Sequence, residues 1–490
     1  MIKISRMSFS VVALALVLAG CAVGPQYQRP QVETPDAFKE ATLSPEAAKQ
    51  WKAAQPADEL ERGRWWTLFK DADLDALQEQ AMAANQDLKA AAARVAQARA
   101  LRGRARSEQF PDLDAGFGPM RQRVANAARG LPDGAPNSPE TLWRAQAGVS
   151  YEVDLFGRVA SSVDAATADA QQSAALFQSV RLALQADVAQ AYFLIRRLDA
   201  EHELYRGTVQ LRGQTLELVE RRYTEGDIGE LDVARAKSEL AAAQSESLGI
   251  ARQRAAAEHA LAILLGKTPA QFSMAPRPLD RVAVDIPAGL PSSLLERRPD
   301  IAAAERAMAA ANARIGSAKA AFFPRLNITG AFGYESSELG NLFEWGSRAF
   351  LLGPLVGTAL TLPIFDGGRR QAGLDRARAQ YEEEVAVYRQ TVLQAFREVE
   401  DGLSSLRILG DQTEVQEAAV SSSGRAAELS QLQYREGSIS YLDVIDADRM
   451  VLQQKRAAVL LDGLRAHVAV DLIRAIGGGW DEAKPDPLRS

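Results

Sequence analysis

Residues 222–236, RYTEGDIGELDVARA, recur 211 residues later as QYREGSISYLDVIDA at 433–447. Tyr223 answers Tyr434, Gly226 answers Gly437, Ile228 answers Ile439, and Leu231-Asp232-Val233 answers Leu442-Asp443-Val444. Each copy predicts a helix that ends at a glycine able to take the left-handed cap, followed by a short turn. A second helix then opens with an aspartate in its first turn, where a carboxylate meets the positive end of the helix dipole. The duplication extends well beyond this stretch. Asp87-Leu88 through Phe110-Pro111 matches Asp300-Ile301 through Phe323-Pro324 at an offset of 213. Phe156-Gly157-Arg158 lines up with Phe365, Gly368 and Arg369 across a small insertion. Two halves of about 210 residues, too long for solenoid units, therefore carry one order: helix, strand pair, long helix, turn, helix.

The strand pairs follow from alternation. Leu113, Ala115 and Phe117 alternate with Asp112, Asp114 and Gly116, and Trp143 to Leu155 does the same after a loop at 127–139. In the second half Leu326, Ile328 and Tyr334 follow Phe323-Pro324. A loop at 335–348 leads to Val356, Thr358, Leu360, Leu362 and Ile364. A period of two gives one apolar and one polar face, and about ten residues is the length of a transmembrane strand. An isolated hairpin is marginal in water, and the flanking helices leave no second sheet to pack on.

The helices are long. One is predicted over 74–109 and ends at Phe110-Pro111; the two longest run over 160–224 and 370–436, roughly 95 to 100 Å each. Return helices are predicted over 231–265 and 441–476. Leu204, Leu211 and Leu218 repeat every seven residues, as do Ile445, Leu452, Val459 and Ala466. That spacing, together with small side chains, predicts coiled-coil packing with close helix approach. The expected organisation is a signal segment at 1–20, a tether at 21–66 and a first repeat at 67–266 with its hairpin at about 112–156. A proline-rich linker at 267–291, a second repeat at 292–476 with its hairpin at about 325–365, and a tail at 477–490 complete it.

The N-terminus carries an address. Lys3 and Arg6 precede a short apolar stretch at 7–17, and LAGC at 18–21 ends in the chain's one cysteine. The string resembles a bacterial lipobox, which makes Cys21 a lipid-attachment site, and Ala22 in place of an aspartate favours the outer membrane over inner-membrane retention. No later apolar run approaches the length of a spanning helix, so a membrane crossing has to use strands. A net charge of −6 argues against nucleic acid as a partner. His202, His259 and His467 are far apart and give no metal spacing. Asp71, Asp73 and Asp75 imitate the start of a calcium loop, but Ala76 and Met82 stand where its glycine and glutamate belong, so they read as helix-start acids. No nucleophile–base pair or cofactor motif is present, which points away from an enzyme.

Four strands cannot close a barrel, and an open sheet edge is not tolerated in lipid, so copies of the chain must associate. A dimer would supply eight strands and a trimer twelve. Resemblance makes the choice. LAGCAVGPQYQRP at 18–30, WWTLF with DLDAL, LLERRPDIAAAE at 294–305, FFPRLNITGAFGY at 322–334 and LPIFDGGRR at 362–370 resemble the outer membrane factor family of tripartite efflux pumps, of the TolC and OprM type, in its lipoprotein (NodT-like) branch. The resemblance implies a homotrimer that pools twelve strands into one outer-membrane β-barrel continued by a periplasmic α-helical coiled-coil barrel. Its implied partners are a periplasmic adaptor, an inner-membrane RND-type transporter and outer-membrane lipid, with no cofactor. The implied function is an exit channel for small molecules; the rival readings are the exit duct of a type I protein secretion system and a structural coiled-coil lipoprotein. By motif position, the resemblance puts Asp443 and Asp446 in acidic rings at a periplasmic aperture, where crowding would raise some carboxyls above their usual range. It also has Tyr434 hydrogen-bonding toward Asp232 to hold that aperture shut, with Ile439 standing where some relatives have an arginine.

Overall fold

The computed structural model describes residues 23–30, 35, 38–40, 63–280, 297–352 and 359–478. Helices are α1 (Ala72–Ala84), α2 (Gln86–Ser107), α3 (Arg158–Thr224), α4 (Glu230–Leu264), α5 (Pro299–Ala320), α6 (Arg369–Arg435) and α7 (Tyr441–Ala475). Strands are β1 (Asp112–Gln122), β2 (Glu140–Val153), β3 (Arg325–Ser336), β4 (Arg348–Leu352) and β5 (Ala359–Thr361). α3 and α6 have 67 residues each, and α4 and α7 have 35 each, so the duplication is preserved in length. The chain divides into two units. Residues 23–30, 94–173 and 303–388 belong to one, and the remaining described residues to the other.

The first unit holds the sheet. Its order is β1-β2-β3-β4, all antiparallel, with β5 also paired to β3. β4 takes the 330–334 stretch of β3 and β5 takes 325–327, so the two share one edge of that strand. The two hairpins of the duplication thus join through β2 and β3 into a single sheet. Beside it, Ile315, Leu374 and Ala377 pack with Phe322 and Tyr381, holding α5 on α6. Arg314 grips both oxygens of Asp169 at 2.8 and 2.6 Å, tying α5 to α3.

The second unit holds the main core. Trp65 and Trp66 meet edge to face at 6.0 Å and pack with Leu74, Tyr192, Phe193, Ile195, Leu261, Leu265, Val470 and Ile473. Trp65 Nε1 donates to Gln185 Oε1 at 3.0 Å, which satisfies the buried indole. Asp71 caps α1 by accepting from Asp73 and Leu74, and Asp73 and Asp75 lie in its first turn, as helix-start acids should.

Two expectations are corrected. The helix predicted over 74–109 is two helices, because Asn85 takes an extended backbone between them. Its Oδ1 accepts from Leu88 N at 2.9 Å, starting α2, while its Nδ2 donates to the Leu264 carbonyl at 2.9 Å. The last strand begins earlier than expected, since β4 starts at Arg348, inside the region read as a loop; 353–358 lie outside the described residues. The leucine stripe is open within the chain. Leu211 and Leu218 are 45% and 38% exposed, whereas Ile445 and Ala466 of the second heptad stripe are buried. Within one chain, Leu204, Leu211 and Leu218 are not a buried seam.

Candidate functional site

Two places carry features beyond packing. The first is the sheet. Residues paired directly across antiparallel strands point to the same face, and the register sorts them cleanly. Leu113, Ala115 and Phe117 pair with Val149, Ala147 and Ala145, which pair in turn with Gly330, Phe332 and Tyr334. Phe332 faces Phe350, and Leu326 faces Leu360. One face is therefore apolar across every strand and open to its surroundings, with Leu113, Phe117, Phe332 and Phe350 between 57% and 75% exposed. The other face carries Asp112, Asp114, Arg144, Gln146, Ser150, Glu152, Asn327 and Glu335. Arg144 Nε meets Glu335 at 2.7 Å, and Arg158 binds both oxygens of Glu152 at 2.7 and 2.9 Å. A cavity of about 750 Å³, lined by Glu108, Asp112, Glu152, Arg158 and Asn327 among others, opens beside these polar groups. Among the described residues, the outer edges of β1 and of β4/β5 have no strand partner.

The second place is the pair of hairpin tips, α3–α4 and α6–α7. Gly226 and Gly437 sit at φ 86° and 77°, and each donates to the tyrosine carbonyl three residues back at 3.0 Å. The next N–H, of Asp227 or Ser438, reaches the carbonyl of the residue before that tyrosine, Arg222 or Gln433, at 2.9 Å. These paired bonds satisfy the last carbonyls of each helix and need the left-handed glycine. The tips share one apolar cluster of Val219, Val233, Ala236, Tyr434, Tyr441, Val444 and Ile445, with Ile228 and Ile439 at its margin.

The four candidate residues all lie on these tips but, among the described residues, no hydrogen bond or ion pair joins any two of them. Asp232 approaches Arg235 at 3.4 Å. Asp446 approaches Arg449 at 3.4 Å, and Arg449 also binds Glu239, which Arg212 holds at 2.9 Å. Tyr434 is buried, and its hydroxyl has no hydrogen-bond partner among the described residues, so the bond expected toward Asp232 is not made within the chain. Its ring instead lies 5.6 Å from that of Tyr441, whose hydroxyl is pushed up to about 12 by burial. Asp443 closes a capping box: its Oδ2 accepts from the Ser440 hydroxyl at 2.7 Å and the Ser440 N–H at 3.0 Å. Those bonds, the hydroxyl first, hold the Asp443 carboxyl below its ordinary range within the single chain; the crowding expected to raise some carboxyls belongs to the threefold ring. Cys21 lies outside the described residues.

Sequence reading missed Arg222, whose guanidinium carbon stands 5.1 Å from the centre of the Tyr434 ring. The signal was available in the repeat: Arg222 answers Gln433, and Ser440 answers Gly229, so the copies differ at both positions.

The model of the outer membrane efflux protein family matches the chain twice, over residues 77–267 and 290–478. Outer membrane protein OprJ of Pseudomonas aeruginosa is 36% identical over 485 residues, covering 97% of this chain and 96% of its own length. The toluene efflux pump outer membrane protein TtgF of Pseudomonas putida is 35% identical, covering 97% of this chain and 98% of its own. A crystal structure of a membrane protein from Pseudomonas aeruginosa superposes with a TM-score of 0.84 at 35% identity, over 95% of this chain and 99% of that one. With the fold, the duplication and both halves accounted for in this way, the chain belongs to the outer membrane efflux protein family.

Proposed function

We propose that this chain is the outer-membrane exit channel of a tripartite efflux pump, passing small molecules from the periplasm to the outside. The observation that carries the reading is the sheet: apolar on one face, polar on the other, with both edges open among the described residues. Such a sheet is stable in lipid only when closed, because unpaired backbone groups cost several kcal/mol each there. Three copies, each giving the four strand places β1, β2, β3 and β4/β5, close a twelve-stranded barrel whose polar face lines the lumen. The helices continue that lumen into the periplasm and meet an adaptor and an inner-membrane RND-type transporter. Cys21 carries the lipid anchor. Signal, tether, two repeats joined by the proline-rich linker, and tail follow in the order read from the sequence.

The hairpin tips form the periplasmic aperture. Asp443 and Asp446 are exposed, and threefold repetition turns them into rings of carboxylates. Acidic rings favour cations and repel anions. Purified protein in planar bilayers should give discrete, cation-selective conductance steps. The pair Asp443→Ala with Asp446→Ala should lower that selectivity and weaken block by multivalent cations added on the periplasmic side. Unaltered reversal potentials in the double variant would remove the aperture from this site. Absence of any conductance would favour a structural lipoprotein.

A further inference from the structure

We infer that the two hairpin tips are clasped by the Arg222 guanidinium resting on the Tyr434 ring, and that the Tyr434 hydroxyl contributes little. Three observations converge on this. Arg222 lies in the last turn of α3, and its guanidinium is 5.1 Å from the ring centre of Tyr434, at the end of α6. The Arg222 side chain is only 29% exposed and is approached by Asp227 at 4.0 Å, so the cation is partly desolvated and held in place. A cation over an aromatic face gains strength as water is removed. The Tyr434 hydroxyl, by contrast, is buried and has no hydrogen-bond partner among the described residues. A hydroxyl enclosed by its own chain offers nothing to a neighbouring copy.

The duplication supplies an internal control. Tyr223, the counterpart of Tyr434, is 46% exposed, and Gln433 replaces Arg222 in the second copy. One tyrosine of the pair is thus turned inward beneath a cation, and its twin is left in the open. Ile439 adds apolar contact at the margin of the same cluster. The clasp closes on packing and a cation–ring contact.

As a device that holds a channel shut, the clasp rests on the aperture reading above; as a link between hairpins it does not. The test therefore has two readouts: single-channel recording of the trimer, and hydrogen exchange of segments 219–236 and 434–445. Arg222→Ala and Tyr434→Leu should each raise open probability and tip exchange by about fivefold per subunit, the size of one partly desolvated cation–π contact. Combining the two should add little to either alone. Arg222→Lys keeps a cation, and Tyr434→Phe keeps the ring, so both should restore most of the closure and protection. If Tyr434→Phe loosens the tips as much as Tyr434→Leu, the hydroxyl is the working group and the inference is wrong. If exchange is unmoved by Arg222→Ala, the clasp does not exist. Faster exchange in Arg222→Ala and Tyr434→Leu with wild-type conductance would support the clasp while showing that the aperture lies elsewhere.

Discussion

At the scale of single residues, the tip is governed by which donors reach which carboxylate. Asp443 differs from Asp232 because Ser440 stands where the first copy has Gly229. Two donors from Ser440 stabilise the charged form of Asp443, so its carboxyl stays ionised to lower pH than an ordinary aspartate. The sign is that of a depressed acid: charge is present above the folded-state pKa and is lost only as pH falls through it. Ser440→Ala removes the hydroxyl and leaves the backbone donor, so the carboxyl should return part of the way upward. Cation selectivity, followed by reversal potential as pH is lowered from neutral, should then disappear at a higher pH than in wild type. An identical midpoint would mean that Asp443 does not set the selectivity.

At the scale of elements, the ends of the long helices were legible and their partners were not. Glycines at 226 and 437 announce left-handed caps, and both long helices end within two residues of where those glycines put them. Strand alternation was equally plain, because one face of the sheet is apolar through every strand. The break at Asn85 was hidden, since half of its cause is the Leu264 carbonyl, 179 residues away in sequence. The fate of Leu211 and Leu218 was hidden too. Seven-residue spacing tells which side chains share a stripe, but not whether that stripe meets its own chain or another. For the same reason the tip aspartates could be placed by motif, whereas the repeat marks Arg222 only as a difference between the copies and not its contact, which lies on the other hairpin. Asn85→Ala deletes an N-cap and strands a carbonyl in one step, and Asn85 is 4% exposed. The loss should be about 2 kcal/mol, read from denaturant unfolding of the helical signal in detergent. A change below about 0.5 kcal/mol would show that water replaces both bonds.

At the scale of the whole molecule, the question is what keeps the chain in the membrane. Two anchors are proposed, an acyl-bearing Cys21 and the sheet, and they differ in kind. One or two acyl chains give attachment that can reverse, whereas a closed barrel is held by its apolar band and by every backbone hydrogen bond around it. The sheet alone is unfinished: among the described residues β1 and β4/β5 are bare edges that would pair with other chains if left uncovered. Association therefore precedes stable insertion in importance, and the exposed Leu211 and Leu218 offer further apolar surface to neighbouring copies. Detergent-solubilised protein should accordingly weigh three copies. The Cys21→Ser variant, exported behind a cleavable signal, should still be recovered in the outer membrane as that same trimer. Recovery of the variant in the soluble periplasmic fraction at normal expression would mean that the lipid, not the barrel, is the anchor. A stable monomer by mass would remove the shared barrel itself, because the strands of one chain are too few to close a barrel on their own.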